Sequence, residues 1–438
     1  MPHTVAQKTI KLGIVGFGTV GAGVCKLLSD QETLLSGRSG DTFEVVKVAV
    51  RDLNKPRAFD LPDETFTTHW EDVVNHPEVD IVVELMGGTS IAFDVVSSAL
   101  ELKKPVITGN KALLAERGKE VFALSSKNST PIYFEAAVAG GIPIIKTIRE
   151  SFVGNSVQQI SGIINGTCNF ILERMSEGGL SYEAALKEAM DLGYAEADPT
   201  LDVNGWDAGH KAILLAAVSY GFLPQPEETF VSGIENVRLA DIRLANELGY
   251  ATKLLSIVKP TNSGVEIRTQ PSLIPKTHLL ANVNGVFNAL SVKGDPVGDA
   301  FIYGRGAGEG PTATAVVADI IDAASTLNSK DRGFLPYSKE SMKVVSIGDT
   351  ETAYFVSLSV KDESGVMAQI TIIFSDEGIS FSGTHSNVNP ETPDAAMNQV
   401  AFVTHIAPFA KLNNAVEKLK ELDCVTVTPS VYRIELLG

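Results

Sequence analysis

The sequence predicts an α/β protein: a doubly wound, mainly parallel sheet comes first, then an inserted α+β domain, then a ferredoxin-like sandwich. Three observations carry this reading. Over residues 10–140, β-rich runs alternate with helical ones, as right-handed βαβ crossovers require. Gly16, Gly18 and Gly21 form a G-x-G-x-x-G turn between the first strand and the first helix. The stretch 350–438 is ordered β-α-β-β-α-β.

The elements follow in chain order. In "IKLGIVGFGTVGAGVCKLLSD" the run Ile10–Val15 is a strand, and Val20, Val24, Leu27 and Leu28 then mark the inward face of a helix. "FEVVKVAVRD", "VDIVVELMGG", "KPVITGNK" and "TPIYFEAAV" read as further strands, with helices "SIAFDVVSSALELK" and "KALLAERGKEVFALSSKN" between the later ones. This Rossmann-like domain covers 1–141 and regains a segment, "RGAGEGPTATAVVADIIDAAS", within 305–328. Between them, 142–304 mixes helices ("SYEAALKEAMDLG", "DAGHKAILLAAVSYG") with strand-like runs ("VQQISGIING", "KLLSIVKP", "GVEIRTQPSLI"). A polar, interrupted stretch makes 329–349 a linker. The final six elements are "ETAYFVSLSVKD", "GVMAQITIIFSDEG", "ISFSGTHSN", "QVAFVTHIA", "FAKLNNAVEKLKEL" and "VTVTPSVYRIE".

Composition excludes several classes. A chain of 438 residues with 44% hydrophobic content is globular and long enough for two or three domains. No apolar run approaches eighteen residues, so no membrane partner is expected, and the opening residues lack the apolar core and cleavage site of a signal peptide. A net charge of −17 argues against nucleic acid as a main partner. Cys25, Cys168 and Cys424, scattered and odd in number, form neither a disulfide framework nor a zinc cluster, and a reducing cytoplasm is the expected location. The seven histidines show no ligand spacing.

The glycine turn follows a strand and opens a helix, so backbone N–H groups of Gly16, Phe17, Gly18, Thr19, Val20 and Gly21 can meet a pyrophosphate. A second strand ending in a carboxylate would suit NAD. Here Arg51 stands at the tip, with Asp52 beside it and Lys55 and Arg57 just beyond. Basic groups there suit a 2′-phosphate, which favours NADP over NAD without excluding dual use; the alternative is a solvated loop.

The stretch "AEADPTLDVNGWDAGHK" packs Glu196, Asp198, Asp202 and Asp207 ahead of Lys211. An oxygen-rich calcium loop is one reading, but the EF-hand spacing is not met. A solvated loop with Asp202 as N-cap is the bland one. The third is a catalytic site. In a helix begun near Val203, Asp207 and Lys211 are four apart and share a face, while Gly205 and Gly209 leave a bare stripe for backbone or cofactor. A lysine there can protonate a carbonyl oxygen as hydride arrives, with the carboxylate orienting it and Glu196 free to take a substrate ammonium. His210, about 100° round the helix from Lys211, is expected in a solvent or packing role.

With the glycine-rich start, "AMDLGYAEADPTLDVNGWDAGHK" closely resembles the homoserine dehydrogenase family, and so do "ELMGGTSIA", "TGNKALLA", "YFEAAVAGGIPII", "SGIINGTCNF" and "GRGAGEGPTATAVVADI". The resemblance implies NAD(P)-dependent interconversion of L-aspartate 4-semialdehyde and L-homoserine, in threonine, isoleucine and methionine biosynthesis, with 142–304 the substrate-binding, catalytic and dimerisation domain. It makes Lys211 the proton donor and acceptor, places Asp207 and Glu196 at the substrate, and sets Lys111 beside the nicotinamide and the reacting oxygen. Gly193 and Tyr194 join the substrate site; Gly88, Thr89, Asn110, Lys111, Gly193 and Gly308 join the cofactor site. It also implies a monovalent cation, sodium, on main-chain carbonyls of Glu135, Val138, Gly140 and Ile142, and a homo-oligomer, dimer or tetramer.

Two rivals remain. Cys168 in "INGTCNF" could be a thiol nucleophile on an aldehyde, although buried free cysteine is usually inert packing. Thr167 beside it offers a hydroxyl to substrate. The tail resembles an ACT domain, whose turn at Gly365 would bind an amino-acid effector such as threonine. A regulator with a vestigial nucleotide domain is therefore the other class. Ser364 stands where a proline is usual, and "SNVNPETPD" replaces a shorter connection.

Overall fold

The computed structural model describes residues 8–327, 342–388 and 397–437. Most of the expected linker 329–349, and the connection at 389–396, lie outside the described residues.

Strands β1 (Thr9–Val15), β2 (Thr42–Ala49), β3 (Phe66–Thr67), β4 (Ile81–Glu84), β5 (Val106–Thr108) and β6 (Ile132–Tyr133) alternate with helices α1 (Thr19–Asp30), α2 (Glu32–Ser39), α3 (Trp70–Val74), α4 (Ser90–Glu101) and α5 (Lys111–Asn128). They form one parallel sheet in the order β3-β2-β1-β4-β5-β6. The order reverses between β1 and β4, which is where a doubly wound sheet opens a ligand crevice at its carboxyl edge. Leu12, Ile14, Ile81 and Val83 pack on one face with Val24 of α1. Val82 turns to the other face, with Val95 and Val96 of α4 and Leu113 of α5. This is the period of two that a sheet covered on both sides demands. The expected strand "TPIYFEAAV" is only two residues long. Beyond it the Glu135 N–H is taken by Asp319 Oδ2 at 2.8 Å instead of a neighbouring strand, and the chain enters a single tight turn.

The inserted region supplies α6 (Ile144–Lys146), β7 (Ser156–Ile163), α7 (Gly166–Gly178), α8 (Tyr182–Asp191), α9 (Thr200–Val203), α10 (Trp206–Tyr220), β8 (Phe230–Val231), α11 (Leu239–Glu247), β9 (Tyr250–Thr261), β10 (Gly264–Pro275), β11 (Phe287–Asp295) and β12 (Gly298–Arg305). α12 (Glu309–Thr326) then returns to pack on α1, where the Cβ of any residue replacing Gly23 would stand 2.5 Å from Glu309 Cγ.

The last elements are β13 (Glu351–Lys361), α13 (Val366–Asp376), β14 (Phe381–Val388), β15 (Met397–Thr404), β16 (Ala407–Pro408), α14 (Phe409–Lys420) and β17 (Val425–Ile434). Their order β17-β13-β15-β14 is that of a ferredoxin-like sandwich. The sandwich is not a separate bead. β17 lies parallel to β10, pairing Arg433 with Ser272 and Ile434 with Leu273, so inserted region and tail share one sheet of eleven strands.

Candidate active site

The acid-rich stretch folds differently from a single helix. α9 ends at Val203, Gly205 adopts φ +88°, and α10 starts afresh at Trp206, whose N–H is taken by Asn204 Oδ1 at 3.0 Å. Asp202 is therefore not an N-cap; its Oδ1 accepts from Asn165 Nδ2 at 2.7 Å. Asp198 accepts from the Thr200 N–H and hydroxyl at 3.2 and 2.6 Å. With partners this separate the two acids do not converge on a metal. Nor is the stripe at Gly205 and Gly209 open to a cofactor, because Val231 and the Ser232 carbonyl fill it.

Asp207 and Lys211 do share one face of α10, and both are buried. Lys211 Nζ donates to Asp207 Oδ2 and to the Ile164 carbonyl, each at 2.7 Å. From the other domain, at the first position of α5, Lys111 Nζ reaches Asp207 Oδ1 at 3.0 Å. Asn165 Nδ2 adds a bond to Asp207 Oδ2 at 2.8 Å. One carboxylate thus bridges two ammonium groups across the domain boundary. Burial opposes its charge, but Lys211, Lys111 and Asn165 override that and hold Asp207 far below the usual carboxylate range. Asp207 in turn holds Lys111 above its ordinary value, with smaller contributions from Asp202 and the exposed Glu196. Burial and the neighbouring Asp207 push Asp202 upward. An ammonium has three donors; two on Lys211 are committed, which leaves one for a ligand.

The backbone positions Lys111 through Asn110. Asn110 Oδ1 caps α5 on the Leu113 N–H at 3.0 Å, and its Nδ2 donates to the Gly88 carbonyl at 2.8 Å. Beneath them Glu84, 0% exposed at the end of β4, accepts from the Met86 N–H at 2.8 Å and from the Thr108 hydroxyl, which itself accepts from the Asn110 N–H at 3.0 Å. Burial pushes Glu84 up to about 7. Sequence reasoning missed Glu84, Thr108 and Asn165. Their only prior signal was polarity inside otherwise apolar runs.

The glycine turn has the form a pyrophosphate needs. Gly16, at φ +102°, and Gly21 are closed in by backbone: an added Cβ would stand 2.6 Å from Leu85 O and 2.4 Å from Gly16 O respectively. Gly18 faces open space and begins α1 with no side-chain cap, so the first-turn amides at Thr19 and Val20 point to an unhindered approach. Gly308 (φ +110°) begins α12, and Gly88 (φ +83°) precedes Thr89 and α4. Of the basic cluster, Arg57 is already engaged: it lies 4.3 Å from the Phe66 ring centroid and donates to the Leu53 and Asp52 carbonyls, while Phe66 meets Phe17 edge-on. Arg51 and Lys55 are exposed.

Thr167 donates its hydroxyl to the Tyr194 carbonyl at 2.8 Å, and the Tyr194 ring packs edge-on against Phe170. The hydroxyl proton therefore anchors the Gly193–Glu196 segment, and only its lone pairs face a ligand. Gly193 (φ +72°) has nothing within reach of an added Cβ. Cys168 is fully buried, with its thiol on the Asp202 carbonyl at 3.1 Å, and burial raises its pKa well above the ordinary thiol value. A nucleophile needs the opposite on both counts. His210 is buried against Trp206, in its packing role.

Around Glu135 the chain makes a tight loop. Both carboxylate oxygens accept backbone N–H groups, Ile145 at 2.9 Å and Lys146 at 2.8 Å, so Glu135 can offer a cation its main-chain oxygen but no free carboxylate. Ala139 and Gly140 are successively left-handed (φ +55° and +49°), and Gly140 packs so closely on Gly306 that no side chain fits.

Comparison with known proteins bears on the family of the chain. A family model described as homoserine dehydrogenase, NAD binding domain, matches residues 16–135, and one described as homoserine dehydrogenase matches 143–321. A homoserine dehydrogenase of Neisseria gonorrhoeae is 39% identical, covering 98% of this chain and 100% of its own. The crystal structure of a homoserine dehydrogenase from Thiobacillus denitrificans superposes with a TM-score of 0.93 at 40% identity, covering 99% of this chain and 100% of that one. A hyperthermophilic archaeal homoserine dehydrogenase solved in complex with NADPH gives 0.62 at 28% identity, over 72% of this chain and 98% of that one.

Proposed function

The chain belongs to the homoserine dehydrogenase family, oxidoreductases acting on a CH–OH group, and on that premise we propose that it interconverts L-aspartate 4-semialdehyde and L-homoserine with NADP, or NAD, as hydride carrier. The observation that carries the mechanism is the Asp207 carboxylate held between Lys211 and Lys111 at 2.7 and 3.0 Å.

The nicotinamide, when bound, supplies hydride to the carbonyl carbon. As the C=O electron pair moves to oxygen, Lys211 gives that oxygen a proton through its uncommitted N–H, and solvent restores the ammonium. Lys111 stabilises the developing alkoxide, and Asp207 keeps both ammonium groups aimed at one point. Glu196 takes the substrate ammonium, while Thr167, Gly193 and Tyr194 line the approach. Gly16 to Gly21, Gly88, Thr89, Asn110, Gly193 and Gly308 are the cofactor contacts of this reading. Arg51 and Lys55, exposed beside that turn, and Arg57, held on Phe66, favour NADP.

Carbonyls of Glu135, Val138, Gly140 and Ile142 would hold a sodium ion. Hard oxygen donors on a tight loop suit it. The domains are read as 1–141 with 305–328, 142–304, and 350–438. The last is an ACT module whose turn at Gly365 (φ +90°) would bind threonine or another amino-acid effector. A cytoplasmic homo-oligomer completes the reading; among the described residues no helix is long and apolar enough to cross a membrane.

The test is homoserine-dependent reduction of NADP and of NAD at alkaline pH, alongside NADPH binding. Turnover supports the assignment, and the ratio of the two kcat/KM values sets the cofactor preference. Tight NADPH binding with no turnover would overturn it.

A further inference from the structure

Strands β4 and β5 end side by side, with Glu84 paired in register to Thr108. Each then feeds a loop of the candidate site. After Glu84 the chain runs through Met86 and Gly88 to α4, and on the way Leu85 closes the space beside Gly16, where an added Cβ would stand 2.6 Å from its carbonyl oxygen. After Thr108 the chain reaches Asn110 and then Lys111, the first residue of α5.

Glu84 spans the two loops. One of its oxygens accepts the Met86 N–H at 2.8 Å and the other accepts the Thr108 hydroxyl. Thr108 Oγ1 accepts the Asn110 N–H at 3.0 Å, and Asn110 Nδ2 closes the ring by donating to the Gly88 carbonyl at 2.8 Å. Glu84 and Thr108 are both 0% exposed, so neither is placed to touch a ligand. The partners of Glu84 are neutral donors, and a carboxylate buried without a cation costs stability that an apolar side chain, as at Ile81, Val82 and Val83, would not. What the carboxylate supplies instead is direction. Above its pKa of about 7 it only accepts, so the Thr108 hydroxyl must aim its proton at it. The lone pairs of that hydroxyl are then turned to the Asn110 N–H. A chain of bonds with one polarity therefore holds the start of α5, and from there Lys111 Nζ meets Asp207 Oδ1 at 3.0 Å across the domain boundary.

We propose that Glu84 is a positioning residue for the reaction assigned above: by gripping Met86 with one oxygen and Thr108 with the other, it locks the loop 85–89 to the start of α5 and so fixes Lys111 at the reacting oxygen. The inference rests on that assignment, since Lys111 has a reacting oxygen to face only if the chain reduces a carbonyl.

The test compares the full chain with Glu84→Gln, Thr108→Val and Thr108→Ser. In Glu84→Gln the amide oxygen still accepts from Met86, but the amide nitrogen gives Thr108 a second donor and turns its hydroxyl round. Thr108→Val breaks the same link from the other side, and Thr108→Ser keeps it. Both breaking variants should lower kcat about ten- to a hundredfold at pH 8, because an ångström of misplacement can cost about 10² in rate. The NADPH dissociation constant should stay within about twofold, and Thr108→Ser should keep kcat within about threefold of the wild type. Instability does not produce this pattern. Glu84→Gln removes an uncompensated buried charge, so its urea midpoint at pH 8 should lie at or above that of the wild type, while that of Thr108→Val lies below. On a Lys111→Ala background, Glu84→Gln should cost kcat no more than about twofold further. Hydrogen exchange at 109–113, read by mass spectrometry without substrate, should quicken in both breaking variants and stay unchanged at 16–21. Wild-type kcat within about twofold in either breaking variant, loss of kcat in Thr108→Ser, a full additive loss on Lys111→Ala, or unchanged exchange at 109–113 would each overturn the proposal. A wild-type chain inert toward homoserine would instead overturn the reaction assignment and this role with it, while the exchange measurement reports separately on the tie between the loops.

Discussion

Lys211→Ala tests the division of labour between the two lysines. In the wild-type chain three side chains hold the Asp207 carboxylate, and the substitution removes only one: Lys111 at 3.0 Å and Asn165 at 2.8 Å remain, so the buried carboxylate is not orphaned and the fold should survive. What disappears is the proton donor. General acid catalysis is worth about 10²–10⁴ in rate, or roughly 3–5 kcal/mol of barrier. Lys111 still stabilises the alkoxide, so kcat should fall about 10³-fold, near the middle of that range. The nucleotide turn at Gly16 to Gly21 does not touch Lys211, and the NADPH dissociation constant should change by less than about twofold. Steady-state NADPH oxidation with aspartate semialdehyde, paired with a fluorescence titration of NADPH, reads both quantities. Lys211→Arg is the control: it keeps the charge but is too weak an acid to give up its proton, so it should keep NADPH binding and still fail to restore kcat. A variant that keeps kcat within about fivefold of the wild type would refute the assignment of proton transfer to Lys211.

Four further outcomes follow from the same site. Asp207→Asn removes the only anion between two ammonium groups and should lower kcat by at least about 10²-fold. Because the folded-state pKa of Asp207 is depressed, its stabilisation is complete above the unfolded value near pH 4 and fades in acid. The gap between wild type and variant in urea denaturation should therefore be larger at pH 7 than at pH 3. Glu84→Gln should behave oppositely. With its pKa raised to about 7, Glu84 costs stability as it ionises above its unfolded value, so the variant should gain on the wild type between pH 5 and pH 8, by on the order of 2–3 kcal/mol in the same assay. Cys168→Ala should leave kcat within about twofold, and the native thiol should resist iodoacetamide until the chain unfolds. Arg51→Ala should raise KM for NADP about tenfold and leave KM for NAD unchanged, the loss of one charge-assisted phosphate contact.

What the sequence made legible was local. The glycine turn, the alternation that gives the parallel sheet, and the i,i+4 pairing of Asp207 with Lys211 each depend on residues within a few positions of one another, and all stand where expected. The misreadings were also local, but they turned on competition for partners. Asp202 had the right residue type for an N-cap, yet Gly205 breaks the helix after Val203 and Asn165 takes the carboxylate. The strand after Ile132 stops because Asp319, on a helix nearly two hundred positions away, takes the Glu135 N–H. The long-range joins left no periodic signal at all. Lys111 meets Asp207 only because α5 packs on α10, and no pattern in either helix encodes the other's register. Glu84 acts from a strand whose remaining side chains are apolar and buried. A buried polar residue in such a run must find hydrogen bonds or stay neutral, so its presence there announces a network without naming the members. The same logic applies at the seam of β10 and β17. Arg268 and Arg433 sit in otherwise strand-like runs and are 0% and 1% exposed. Only the paired sheet brings them to the acids Glu266 and Glu435.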